Sequence, residues 1–290
     1  MKYISNYKDI KKFKPTKLRG IIRNAVLTGI TFKNRFIDYD TFYEKPKVQF
    51  IYFHHIFDDE VKQLEILLKW LKRYYTFISY SEAVTRILNN KIDKPYVCFS
   101  FDDGFKNNIK AAAVLERYNT TGCFFINPDV IGQKDFYKVK KYCNSVLNFP
   151  PIEFLDWNDV NNLLKSGHEI GSHTIGHINI ANKNEYEIED NLIKSFEMIK
   201  RECGTVKHFA FPYGRFFHFN KLAYHLVFKT GYKTCASAER GCHITDKIIK
   251  EDELMIRRDH IICAWPLDHI KYFLLKSSMN CSQDNNYVPY

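Results

Sequence analysis

The chain has 290 residues, 45% of them hydrophobic and 26% charged, with only 12 glycines and 9 prolines. That composition supports one large globular core and excludes disordered, collagen-like and solenoid chains. The formal net charge of +10 sits mostly in residues 1–35, where ten Lys or Arg face the single acid Asp9, so no nucleic-acid partner is expected from an arm that lacks any patterned basic surface.

In chain order, that arm comes first. Residues 18–32 (LRGIIRNAVLTGITF) suit a short helix lying on a membrane or on the domain, and they are too short and too charged to span a bilayer. Residues 1–19 are dominated by lysines and aromatics and lack the apolar stretch of a cleavable signal peptide. Eight cysteines show no CxxC spacing, and several lie in apolar runs such as Val97-Cys98-Phe99, which reads as buried thiols in a reducing compartment. The expectation is a cytoplasmic protein, peripheral on the inner membrane face through contact of its basic amino terminus with anionic lipid. Residues 1–45 are then a basic extension, 46–276 the domain and 277–290 a loose tail.

Within the domain, apolar runs alternate with amphipathic stretches, the pattern of β-α units around a parallel sheet closed into a barrel of about seven parallel strands. Strands are predicted over 48–53, 96–101, 122–126, 168–171, 208–211, 232–236 and 254–257. Helices are predicted over 60–74, 81–88, 107–117, 157–165, 185–202 and 220–229. Ser81 and Asp156 suit helix N-caps, and Gly167 and Gly231 suit the left-handed residue after a helix. Residues 128–151 interrupt the rhythm as an insertion placed to overhang a site.

Three segments carry chemistry. Phe99-Ser100-Phe101-Asp102-Asp103-Gly104 is an apolar strand ending in two adjacent carboxylates, which need a cation or a chemical task to offset desolvation, although Asp-Gly alone is equally a turn pair. His173 and His177 in His168-Glu169-Ile170-Gly171-Ser172-His173-Thr174-Ile175-Gly176-His177 are four apart, so one helical turn would aim both imidazoles the same way as a metal clamp. His208-Phe209-Ala210-Phe211-Pro212-Tyr213-Gly214 runs a strand into a tight turn that can hold a backbone N–H toward a carbonyl and offer Tyr213 to a sugar. An isolated His pair or Pro-Tyr-Gly is ordinarily structural; the three in this order are not.

Together they resemble the polysaccharide deacetylases of carbohydrate esterase family 4, the NodB-homology domain. Ile51-Tyr52-Phe53-His54-His55 is similar to that family's opening strand, and Phe154-Leu155-Asp156-Trp157 to its approach to the histidine segment. The resemblance spans residues 48 to 269. It implies a distorted (β/α) barrel and a divalent metal, zinc ahead of other transition metals, bound by Asp103, His173 and His177. Asp102 would be the general base, with Tyr213, Pro212 and His54 at the substrate. Where many members place an arginine that orients the base, this chain has Ala210; Arg258 matches a late arginine of other members, with Arg257 adjacent. The leaving amine would be protonated by His260, with His269 as the alternative. The expected substrate is an N-acetylhexosamine-containing glycan, nucleotide sugar or lipid-linked precursor. Aromatics at Tyr137, Tyr142, Trp157, Tyr213 and Trp265 favour a sugar. The competing readings are an amidohydrolase for a small amide or imide and a non-catalytic sugar-binding barrel.

Overall fold

The computed structural model describes residues 2–13, 18–34, 40–244, 249–279 and Cys281. Its strands are β1 (Lys47–Phe53), β2 (Thr76–Phe77), β3 (Pro95–Phe101), β4 (Gly122–Ile126), β5 (Glu169–Ser172), β6 (His208–Ala210), β7 (Thr234–Ala236), β8 (Cys242–His243), β9 (Met255–Ile256) and β10 (Asp259–His260). They form one ten-stranded sheet with the path β10-β1-β3-β4-β5-β6-β7-β9; every neighbouring pair on it is parallel, and β8 alone runs antiparallel, against β1. The path ends, β9 and β10, are unpaired with one another among the described residues, so the sheet curls into a distorted barrel with an open seam.

Eleven α-helices accompany the sheet among the described residues: α1 (Tyr7–Phe13), α2 (Leu18–Asn34), α3 (Asp40–Glu44), α4 (Val61–Leu71), α5 (Tyr80–Leu88), α6 (Asn108–Arg117), α7 (Phe136–Tyr142), α8 (Trp157–Lys165), α9 (Glu185–Cys203), α10 (Lys221–Thr230) and α11 (Leu267–Met279). The predicted strands and helices all form, with ends shifted by a few residues at most. Asp156 caps α8 through a reciprocal box with Asp159, and Gly167 and Gly231 follow α8 and α10 at φ +86° and +115°. Ser81 does not cap α5: Ser79 does, accepting from the N–H of Glu82, because the helix starts one residue earlier than predicted.

Strand alternation sorts the core. Phe50, Cys98, Phe125, Ala210, Ala236 and Ile256 form one buried cluster inside the barrel, while their neighbours Ile51, Phe99, Phe124, Phe209, Cys235 and Met255 pack in another with the helices. Both faces are buried, which is why β1, β3 and β4 read as near-continuous apolar runs.

At the amino-terminal end of the strands, Glu169 accepts from the Ser81 N–H (2.9 Å), from the Ser81 hydroxyl and from His208 Nε2 (3.3 Å). Burial opposes its ionisation, yet these donors hold its carboxyl at about 2 against an ordinary 4.5. Its contribution to stability is therefore complete above pH 4.5 and is lost as pH falls toward 2. Glu169→Gln should melt below the wild type at neutral pH, and thermal melts between pH 7 and 2.5 should show that gap closing as acid removes the same interaction from the wild type; a gap that does not change with pH would contradict the assignment.

Both chain ends are packed more closely than expected. In the amino-terminal extension, the Tyr7 N–H donates to Asp59 at 2.8 Å, and Ile10 and Leu27 are buried. At the other end, α11 continues through the buried Ser277 and Ser278, and Cys281 is joined to Cys242 in a disulfide, a pairing that the expectation of a reducing compartment did not include. The tail starts tied to β8, and residues 282–290 lie outside the described ones. Cys98, Cys123, Cys143, Cys235 and Cys263 are buried free thiols as predicted, and Cys203 is half-buried.

Candidate active site

On β3 the residues facing the barrel interior continue from Cys98 through Ser100 to Asp102, whose N–H donates to the Phe53 carbonyl at 2.9 Å. Strict alternation would send Asp103 to the outer face. Instead Asp103 and Gly104 take left-handed backbone conformations, φ +73° and +71°, and both carboxylates open into one cavity. A non-glycine residue held there costs about 1–3 kcal/mol, a strain that concentrates at functional sites.

The histidines arrive by similar means. Gly171 is the last interior position of β5 before His173; a side chain at Gly171 would place its Cβ 2.5 Å from the Phe125 ring. The predicted helical turn between His173 and His177 does not form: residues 174–176 make a turn in which Thr174 and then His177 adopt φ +64° and +58°. The turn is held from the end of β4, where the side-chain amide of Asn127, the residue after the strand, donates to the carbonyls of His173 and Thr174. His173 Nδ1 donates to the carbonyl of Ala210 at 2.7 Å, which fixes the tautomer and turns the Nε2 lone pair to Asp103.

Asp103 Oδ1 lies 3.6 Å from His173 Nε2 and 3.5 Å from His177 Nε2, and one donor atom from each of the three residues falls within 4.8 Å of the others. Oδ1 is buried without a hydrogen-bond partner among the described residues. Burial, then the adjacent Asp102, pushes the Asp103 carboxyl well above its ordinary range, while burial and His173 push His177 well below its own. A buried orphan oxygen facing two neutral imidazoles is a donor set for a small divalent cation, so the residues fit the metal that the resemblance implies.

Asp102 belongs to a different set of contacts. Arg258 grips it in a two-pronged pair, Nη1 to Oδ1 at 2.8 Å and Nη2 to Oδ2 at 2.9 Å. The guanidinium is fully buried, with Nε donating to the Ser237 carbonyl (2.9 Å), Nη1 to the Ser100 hydroxyl (3.3 Å), and the Tyr52 ring 4.4 Å away. Burial alone would raise the Asp102 carboxyl; Arg258 and His173 more than offset it and hold it below the usual value. The register is thereby decided: Arg257 lies over the Phe216 ring and donates to the Arg240 carbonyl, away from the acids.

The remaining expected residues divide. Tyr213 lines the cavity, half exposed, at φ +64°. Pro212 does not line it and is buried behind the turn, so its part is to shape the backbone. His54 lines the cavity, whereas His260 stands behind it, its Nε2 3.0 Å from His54 Nδ1. His269 lies on α11 with Nε2 3.2 Å from the Thr28 hydroxyl of α2, remote from the cavity. His55 turns away to the buried Glu60. Of the five aromatics expected at the groove, Tyr213 alone lines the cavity; the other aromatic walls are Tyr52, Phe149 and Phe211. Phe149 follows a single π-helical turn, Cys143–Leu147, in the insertion, which does overhang the site as predicted.

Gly214 closes the wall. At φ +66°, a Cβ there would sit 2.7 Å from the backbone nitrogen of Ala238, the same nitrogen that donates to the Gly214 carbonyl. Gly214→Ala should lower stability by about 1–3 kcal/mol in thermal melts and depress kcat by shifting Tyr213; wild-type values of both would show that the turn yields freely.

A distorted parallel barrel that gathers a carboxylate and two imidazoles beside a second, arginine-held carboxylate is an arrangement suited to hydrolysis. The comparisons with known proteins agree. A family model described as polysaccharide deacetylase matches residues 89–235, and the chain belongs to that family of carbon–nitrogen amide hydrolases. A peptidoglycan-N-acetylglucosamine deacetylase of Bacillus cereus is 27% identical over 140 residues, covering 48% of this chain and 43% of that protein, so the match spans less than half of the relative. Among solved structures, IcaB from Ammonifex degensii superposes with TM-score 0.64 at 15% identity, covering 81% of this chain and 98% of its own. A polysaccharide deacetylase from Bacillus cereus gives 0.62 at 20% identity, covering 80% and 69%. These structures share the fold. His54, Arg258 and His260 fall outside the span matched by the family model, and the folded chain brings them to the site.

Proposed function

We propose that the protein hydrolyses the N-acetyl group of an N-acetylhexosamine unit in a glycan or glycan precursor. The observation that carries this reading is the division of labour between adjacent acids: Asp103 faces His173 and His177, while Asp102 is held by Arg258 and left open to the cavity. The name of the Bacillus cereus relative supports the sugar. The cavity, about 300 Å³, is at the small end for ligand sites, room for one sugar residue at the reacting centre.

A divalent cation held by Asp103, His173 and His177, zinc ahead of other transition metals, would supply Lewis acidity to water and to the acyl oxygen. The protein's residues do the rest. Asp102, oriented by both prongs of Arg258, takes a proton from the attacking water. The backbone N–H of Tyr213 is assigned to the oxygen that gains charge, and its ring, which lines the cavity, forms a wall for the sugar. The C–N bond then breaks, acetate leaves, and the proton that Asp102 accepted passes to the sugar amine through His54, the histidine at the cavity, with His260 positioning it.

The finer substrate in this proposal is a nucleotide sugar or lipid-linked precursor handled in the cytoplasm. The five buried free thiols support a reducing compartment; the Cys242–Cys281 pair points the other way, and thiol titration of protein purified from its own cells would decide.

Metal-loaded protein incubated with N-acetylglucosamine oligomers, nucleotide sugars and lipid-linked precursors should convert one class to a product lighter by about 42 Da in mass spectra, with acetate released and the activity lost on chelation. Ammonia release from imides with no acetate from any sugar would overturn the assignment in favour of small-amide hydrolysis.

A further inference from the structure

Helix α2 is mounted with its apolar face outward. Toward the domain it presents the buried Leu27 and Thr31, the Thr28 hydroxyl 3.2 Å from His269, and Arg23 stacked 5.5 Å over the Trp265 ring. At about 100° per residue, the opposite side carries Leu18, Ile22 and Gly29, flanked by Ile21 and Val26. Leu18 is 72% exposed and Ile21, Ile22 and Val26 are each 55–57% exposed, while a Cβ built on Gly29 meets nothing within 4 Å. An ordinary surface helix does the reverse, and a contiguous outward apolar stripe marks an interaction surface.

Charge identifies the occupant. The sequence of α2 contains no acidic residue, and residues 1–35 as a whole hold ten bases against one acid. A second copy seated on this face would bring two such basic segments together, whereas an anionic bilayer offers apolar depth for the stripe and counter-charge for a segment whose sequence is this basic. No helix of the described residues is long and apolar enough to cross a membrane, so the fit is to lying in the interface. On its inner side the helix reaches toward the residues behind the cavity: Arg23 packs on Trp265, whose ring is 6.0 Å from that of His260. We propose that the outward face of α2 docks the protein onto anionic membrane surfaces. The proposal stands apart from the catalytic reading, since vesicle binding requires no turnover.

The test is co-sedimentation of the full chain with vesicles of phosphatidylcholine alone and of phosphatidylcholine with one quarter phosphatidylglycerol, at low and high salt. Wild-type protein should partition onto the anionic vesicles, less so in high salt. The double variant Ile22→Glu/Val26→Glu should lose roughly tenfold in partitioning, while Ile66→Glu, an exposed apolar control on α4, should lose nothing. If the double variant does not fold, Ile22→Ser/Val26→Ser reads the same face. No binding to anionic vesicles would overturn the proposal, as would binding that both double variants retain. So would a solution dimer that these substitutions dissociate while vesicles go unbound.

Discussion

Asp102→Asn is expected to bind a metal ion as well as the wild type and to turn over about 10²–10⁴-fold more slowly, whereas His173→Ala should lose both metal and turnover. The two residues are neighbours in one cavity, so the contrast isolates role from location. Asp102 spends both carboxylate oxygens on Arg258, and its remaining lone pairs are what a base needs; an amide keeps the shape and cannot take the proton. His173 faces Asp103 through Nε2, with Nδ1 committed to the Ala210 carbonyl, so alanine removes a donor that no neighbour replaces. Metal content by elemental analysis, with acetate release measured in parallel, is the check. Equal metal loss in both variants would mean that the two acids share the ion and that the assignment of Asp102 as base is wrong.

The contrast also shows how much of the site was legible before folding. Asp102, Asp103, His173 and His177 stand out because charge at the end of an apolar strand is costly unless it has work to do, and their meeting follows from strands that lie side by side as β3, β4 and β5. How they meet was not legible. The histidine spacing suggested a helical turn, but left-handed residues at Thr174 and His177 achieve the convergence, and nothing in Thr or His advertises a positive φ. The choice between Arg257 and Arg258 could have been made by alternation, since the interior position Ile256 puts Arg258 and not Arg257 on the inner face. The two-residue strands β2, β8 and β10 escaped because such short pairings are set by the partner strand, not by local propensity. Phe149 escaped for a related reason: its place at the cavity depends on how a long insertion folds back, which no periodic pattern encodes.

Arg258→Met should be among the most destabilising single changes in the domain, about 3–5 kcal/mol, and should also abolish most turnover. The guanidinium is fully buried and its partner is 3% exposed, so removing it leaves an uncompensated carboxylate in the barrel interior, an arrangement far costlier than the intact pair is favourable. Arg258→Lys keeps the charge but not the fork; it should recover part of the stability and little of the activity, because a single ammonium cannot fix both oxygens of Asp102. The pair can be separated from general packing damage by a double-mutant cycle. Arg258→Met combined with Asp102→Asn removes both charges, and its melting free energy should be less unfavourable than the sum of the two single changes by at least about 1 kcal/mol. Strict additivity would show that the two groups are not coupled, and would leave Asp102 without the support on which its role as base depends.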